Sequence, residues 1–340
     1  MEVLVIGGSK FSGKEIVKLL VEKEHNVTVL NRGKSDKKID APFFKSEEHT
    51  YPRNVKVIHA DRTNYTELSE KINNSNFEAI IDTCAFNERD IQTILNLTLE
   101  KLEHYIFVST GSVYDEEKII MIPITEEAPF GSEADDDPVP YSRDKRRAET
   151  LLHRAFKENN FPITIFRPTY IYGPYNPIYR EMYFFDRISD QKTVYMPGNG
   201  EYILDFVFIR DIAWLLSSPL ENKKALGKAY NAAGEGGITL NNYVKLLETI
   251  IGKKVNVIHF DPQIVIKQKL EPENRNQMFP FSYDMHFLMS KEKAVVDLGY
   301  KPTPLFDGLK KTFNWYQKYR NPNWEGDYAF DEKIAELLRK

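Results

Sequence analysis

Hydrophobic positions in the first half of the chain switch repeatedly between two periods. Val3–Ile6 is an unbroken apolar run, the pattern of a strand buried on both faces. Over Ser12–Glu24, residues Ile16, Leu19, Leu20 and Val21 fall at helical spacing. Val27–Leu30, Val55–His59, Ala79–Ile81, Tyr105–Val108 and Ile163–Arg167 read as further strands, and Tyr65–Ile72, Ile91–Leu102 and Tyr141–Glu158 as helices between them. Strands alternating with helices predict an α/β fold, a doubly wound parallel sheet with helices on both faces. Beyond Pro168 the alternation becomes irregular. Aromatics and prolines gather there, in FPFSYDMHF (279–287) and GYKPTPLFDGLKKTFNWY (299–316).

The junction between the first strand and the first helix reads Gly7-Gly8-Ser9-Lys10-Phe11-Ser12-Gly13. A glycine-rich turn opening a helix is a ready anion site, because backbone can approach a pyrophosphate and the helix start offers N–H groups. An ordinary tight turn is the alternative. A Gly-x-x-Gly-x-x-Gly spacing would need a glycine where Lys10 stands. At the end of the second strand, where an acid would hold a ribose 2′-hydroxyl, the sequence is Asn31-Arg32. An arginine there suits a 2′-phosphate. Lys10, on the neighbouring loop, is a second cation for it. The expected cofactor is therefore NADP, with NAD as the alternative; both cations facing water is the plainer reading.

Tyr141 and Lys145 are four residues apart and share one helix face. A phenol is a weak base near neutrality, and a cation beside it favours the phenolate. Facing a cofactor, the pair is a proton-transfer device; elsewhere it is common surface. Ahead of it, Phe107-Val108-Ser109-Thr110-Gly111-Ser112-Val113-Tyr114 ends the fifth strand, where ligands of open parallel sheets sit.

GGSKFSG, FVSTGSVY, YSRDK, FRPTYIYGP and LDFVFIRDIA, in this order, resemble the extended short-chain dehydrogenase/reductases, the NAD(P)-dependent epimerase/dehydratase group. The resemblance runs over nearly the whole chain. It is closest to an atypical branch with a GGT(R/K)F-type loop and Asn-Arg-Gly after the second strand; IDTCAF (81–86) also fits that branch. It implies a Rossmann NAD(P)-binding domain over residues 1–168. A smaller C-terminal α/β domain over 169–340, interleaved with the first, would be mainly substrate-binding. It implies Tyr141 as acid/base, Lys145 as holder of the nicotinamide ribose, and Thr110 as the family's Ser/Thr. The cofactor residues would be Gly7, Ser9, Lys10, Phe11, Gly13, Asn31, Arg32, Asp61, Arg62, Thr83, Cys84 and Lys145, with Asp61 at the adenine and Cys84 packing rather than reacting.

Two positions depart from the pattern. Lys10 replaces the middle glycine. Leu204 stands where nucleotide-sugar enzymes commonly place an arginine for the diphosphate; Arg180 is one residue able to take that role. Asp205 and Asp211 are expected to fix the strand-to-helix turn. Tyr170, Tyr172, Phe86 and the aromatics of 279–287 are candidates for a partly apolar pocket.

The chain has 340 residues, 41% hydrophobic and 28% charged, with net charge −4. That balance gives no reason to expect nucleic acid or an anionic membrane as partner. Acidic residues Glu133, Asp135, Asp136 and Asp137 end a long loop, where solvated surface is the ordinary reading and an active-site flap the sharper one. Cys84 is the single cysteine, which fits a reducing cytoplasm. No Cys/His cluster suggests a metal. The expected partner is a small-molecule substrate, with a homodimer as candidate assembly. Two other readings stay open: a non-catalytic nucleotide- or RNA-binding protein on this fold, as in plant chloroplast stem-loop RNA-binding proteins, and a nucleotide-sugar epimerase/dehydratase.

Overall fold

The computed structural model describes residues 1–33, 41–45 and 51–339. The chain opens with β1 (Glu2–Ile6), α1 (Phe11–Glu22), β2 (Asn26–Asn31), β3 (Lys56–His59), α2 (Tyr65–Ile72), β4 (Ala79–Asp82), α3 (Glu88–Leu95) and β5 (His104–Val108). Next come α4 (Pro140–Asn159), β6 (Ile163–Pro168), β7 (Tyr170–Tyr172), α5 (Glu181–Ser189), β8 (Val194–Pro197), β9 (Ile203–Leu204), β10 (Phe206–Phe208) and α6 (Ile209–Ser217). The remainder is β11 (Lys228–Ala232), β12 (Ile238–Thr239), α7 (Leu240–Ile251), β13 (Val257–Phe260), α8 (Gln263–Lys267), α9 (Glu292–Leu298), α10 (Leu305–Tyr319) and α11 (Ala329–Arg339).

Seven strands form one parallel sheet in the order β11-β6-β5-β4-β1-β2-β3. The apolar runs are buried on both faces, as continuous hydrophobic strands require: Val3, Leu4, Val5 and Ile6 are all fully buried. The strand order reverses between β1 and β4, which opens a crevice at their carboxyl ends. Ile6 there stands level with Leu30 on one side and Asp82 on the other.

Two sequence expectations shift. The helix expected over 91–102 runs from Glu88 to Leu95. Asn87 starts it early by accepting the Asp90 N–H. Thr98 then leaves it to exchange hydrogen bonds with Asn73 and Asn74 beyond α2. The acidic segment is mostly exposed but strapped to α4, rather than simply solvated. Arg146 pairs with Asp137 at 2.8 Å, Arg143 donates to the Asp135 carbonyl, and Arg147 donates to the Glu133 carbonyl.

Three two-stranded pairings, β10-β7, β12-β9 and β13-β8, lie outside the main sheet. A second, aromatic core packs around them: Phe206 stacks on Tyr243 at 4.8 Å and Phe184 on Phe281 at 5.8 Å. Phe43 and Phe44, from the connection between β2 and β3, are buried in this core. Backbone bonds stitch them to the end of α10, from Lys45 N–H to the Tyr319 carbonyl and from Asn321 N–H to the Phe43 carbonyl.

Candidate functional site

A cleft of about 530 Å³ opens at the reversal of strand order. Its size suits a small-molecule or cofactor site. Gly7, Ser9, Lys10, Phe11, Asn31, Arg32, Asp61, Arg62, Thr83 and Cys84 all line it.

The glycine turn is tight for steric reasons. Gly7 has φ +92°, and a Cβ there would lie 2.5 Å from Thr83 Oγ1. A Cβ on Gly13 would lie 2.1 Å from the Gly7 carbonyl oxygen. Gly13 therefore does not face the cleft; it lets α1 pack against the turn. Phe11 starts α1 with φ +38°, an uncommon value for a side chain of that size. Lys10 is the N-cap residue, and α1 begins with no side-chain cap and no acid in its first turn. That uncapped start, above a glycine cradle, fits a diphosphate.

At the end of β2, the Asn31 amide is engaged on both sides. Its oxygen accepts from Gly33 N–H at 2.7 Å and lies 3.1 Å from His59 Nδ1; its nitrogen donates to Tyr51 Oη at 3.1 Å. The same Tyr51 oxygen lies 3.1 Å from Ser9 Oγ. Arg32 is exposed at the cleft edge, and no carboxylate among the described residues pairs with it. Lys10 is also exposed there. Both cations thus lie at the edge of the same cleft.

The other predicted residues of the cleft also make contacts within the protein. Asp61 takes the Thr63 N–H and hydroxyl in a local turn. Arg62 lines the cleft, but its guanidinium is buried on Asp82 at 2.6 Å and near Asp90 at 3.6 Å. Its charge is neutralised inside the protein. Thr83 donates to the Ile6 carbonyl at 3.0 Å. Burial pushes the Cys84 thiol up to about 11, so it is a protonated packing group.

Tyr141 and Lys145 sit on the first turns of α4. Lys145 is buried, and its ammonium donates to the carbonyls of Ala85 and Val108, each at 2.7 Å. Burial pushes its pKa down to about 8. Tyr141 remains 47% exposed, beside the equally open Phe86 ring at 6.5 Å. Burial of its hydroxyl end raises the phenol pKa, while a hydrogen bond with Thr110 and the charge of Arg180 lower it. Burial prevails, so the Tyr141 phenol lies above its usual value, with Arg180 as the cation that opposes the rise, while Lys145 directs its ammonium to the carbonyls of Ala85, just beyond β4, and Val108 of β5. Thr110 continues into a hydroxyl chain, with Ser112 Oγ 3.0 Å from both Thr110 Oγ1 and Ser142 Oγ.

Arg180, which the sequence offered as a substitute for the arginine missing at Leu204, had no visible link there to Tyr170 or Tyr141. Tyr170, whose ring it covers at 5.2 Å, faces the segment 279–287 through Ser282 at 3.0 Å. Tyr172 belongs to the aromatic core. Leu204 is fully buried in β9. Asp205 accepts from Gly234 N–H and from its own neighbour Phe206, while Asp211 accepts from the Thr303 N–H and hydroxyl, far along the chain. Among the described residues, no group of three His, Cys, Asp or Glu could hold a metal, and no helix is long and apolar enough to cross a membrane.

The sequence matches a family model described as the NAD dependent epimerase/dehydratase family over residues 3–233. It is 30% identical over 339 residues to the chloroplast stem-loop binding protein of 41 kDa b of Arabidopsis thaliana, covering 98% of this chain and 84% of that protein. It is 25% identical to human dTDP-D-glucose 4,6-dehydratase, covering 95% and 91%. The UDP-glucose 4-epimerase structure from Thermotoga maritima superposes with a TM-score of 0.73 at 22% identity, over 94% of this chain and 99% of that one.

Proposed function

The chain belongs to the NAD dependent epimerase/dehydratase family, and from that premise we propose an NADP-preferring oxidoreductase or epimerase with Tyr141 as its acid/base. When bound, the nicotinamide supplies a hydride acceptor or donor. The protein's own residues do the rest. The glycine turn and the start of α1 hold the diphosphate. Arg32 and Lys10 face the 2′-phosphate, and Lys145, anchored to two backbone carbonyls, presents its remaining N–H to the nicotinamide ribose. Tyr141 Oη, with Thr110 beside it, takes or gives the proton of a substrate hydroxyl or carbonyl.

One observation carries this reading. Tyr141 is exposed at the open end of the sheet, while the lysine one turn along is buried and hydrogen-bonded beneath it. A surface Tyr/Lys pair would leave both in water. We assign residues 1–168 chiefly to the nucleotide and 169–340 mainly to the substrate, with β11 returning to the nucleotide sheet. Stem-loop binding, named for the Arabidopsis relative, gains nothing from a chain of net charge −4.

The dTDP- and UDP-sugar relatives favour a nucleotide sugar as substrate class. The test is incubation of the protein with NADP or NAD and a set of UDP- and dTDP-sugars, followed by product analysis. Conversion that survives in Tyr141→Phe would defeat the assignment of Tyr141.

A further inference from the structure

Each buried arginine among the described residues pairs with a carboxylate, and one half-buried arginine does not. Arg62 pairs with Asp82 at 2.6 Å, Arg146 with Asp137 at 2.8 Å, Arg167 with Glu149 at 2.7 Å and Arg187 with Asp331 at 2.8 Å. Each carboxylate offsets the cost of removing a guanidinium from water. Arg180 is half-buried at the entry to α5, and among the described residues no carboxylate pairs with it.

Its sequence neighbour Glu181 could have done so but is turned away. The Glu181 carboxylate is fully buried and accepts from Gly173 N–H at 3.0 Å and Asn176 Nδ2 at 3.1 Å. What Arg180 has instead is the face of Tyr170, at 5.2 Å. An aromatic face attracts a cation but leaves its N–H donors unused. Desolvation lowers the Arg180 pKa by more than the nearby Glu181 charge raises it, and the Arg180 charge in turn acts on Tyr141.

We propose that Arg180 is a substrate-binding residue that holds an oxyanion, a carboxylate or a phosphoryl group, beside the hydroxyl of Tyr141. The planar fork of a guanidinium matches two oxygens of either group. Tyr170 keeps the fork in place, since its own hydroxyl is tied to Ser282 Oγ at 3.0 Å and to Ser282 N–H at 3.2 Å. A substrate carrying such an anion would be oriented with its reacting hydroxyl or carbonyl toward Tyr141. This inference rests on the reading of Tyr141 as acid/base and adds the substrate's charge to it. It also supplies the cation that Leu204 does not.

The experiment follows the Arg180 side chain itself, on the full chain without added dinucleotide. The ¹⁵Nε–¹H resonance of Arg180 is assigned by its disappearance in Arg180→Lys. It is then titrated with malonate and, separately, with inorganic pyrophosphate. A saturable shift of that resonance is expected with at least one anion, and the responding anion tells carboxylate from phosphate. Calorimetric affinity for that anion should fall about tenfold or more in Arg180→Met, with Arg180→Lys in between. No shift with either anion, or unchanged affinity in a folded Arg180→Met, overturns the proposal. Loss of turnover in Tyr141→Phe beside an unresponsive Arg180 would leave the proposed function standing and remove only this inference. An Arg180 response in a protein that binds no dinucleotide would do the reverse.

Discussion

The Lys145 ammonium lies 6.0 Å from the centre of the Tyr141 ring, one helical turn along α4, and is fastened by the carbonyls of Ala85 and Val108. The lysine is therefore a fixed post under a mobile-proton group. Tyr141→Phe removes only the transferable proton. Turnover should fall by about 10²–10⁴-fold while dinucleotide affinity changes less than about twofold. Lys145→Ala should weaken both. Stopped-flow turnover and fluorescence titration of NADPH separate the two effects.

Lys145 also sets a pH dependence. Its pKa in the fold is about 8, lowered by burial from 10.5. It carries a charge below that point and is neutral above it. Dinucleotide affinity should weaken as pH rises through about 8, and Lys145→Arg, charged throughout, should flatten that decline. The check is NADPH affinity across pH 6.5 to 9.5 in both proteins.

Cofactor choice is expected to depend on Arg32. A charge-assisted contact with a 2′-phosphate contributes about 1.5–3 kcal/mol, so NADPH should bind about tenfold to a hundredfold more tightly than NADH. Arg32→Ala should remove most of that preference and leave NADH affinity nearly unchanged. Both are titrated at one fixed salt concentration, since screening acts on the same contact. Equal affinities in the unaltered protein would place Arg32 in solvent.

Gly13→Ala tests the turn. The added methyl would meet the Gly7 carbonyl oxygen at 2.1 Å, and the three nearest atoms are all backbone of Gly7 and Gly8, so the turn itself must shift. A loss of about 1–3 kcal/mol is expected in urea unfolding, with dinucleotide binding weakened as the cradle opens. An unchanged unfolding midpoint would show that the turn is looser than its packing indicates.

Glu181 contributes a pH-dependent term to stability. Burial raises its pKa to about 7, above its unfolded value of 4.5. Its stabilising protonation is fully present below the unfolded value and lost as pH rises toward 7. Glu181→Gln is always neutral, so the difference in unfolding free energy between it and the parent should grow in its favour from pH 4.5 to pH 7.5. That change should be about 1–3 kcal/mol. A difference that stays constant over this range would mean that Glu181 ionises normally.

Periodicity alone was enough for the nucleotide half. Six of the seven sheet strands, the glycine turn and the helix bearing Tyr141 and Lys145 follow from residues close in sequence. In such elements burial imposes a period that the chain displays directly. The seventh strand, β11, was not visible, because it joins the sheet only by pairing with β6, far away in the chain. The strap of Glu133–Asp137 over α4 and the insertion of Phe43 and Phe44 into the C-terminal core were hidden for the same reason. So was the division among arginines. Arg32, Arg62 and Arg180 are equivalent in a sequence, and each was a reasonable anion ligand. Only the tertiary structure gives Arg62 to Asp82, turns Glu181 away from Arg180, and leaves Arg180 and Arg32 without a carboxylate among the described residues. An ion pair depends on the distance between groups that the chain brings together last, and that distance has no local signature.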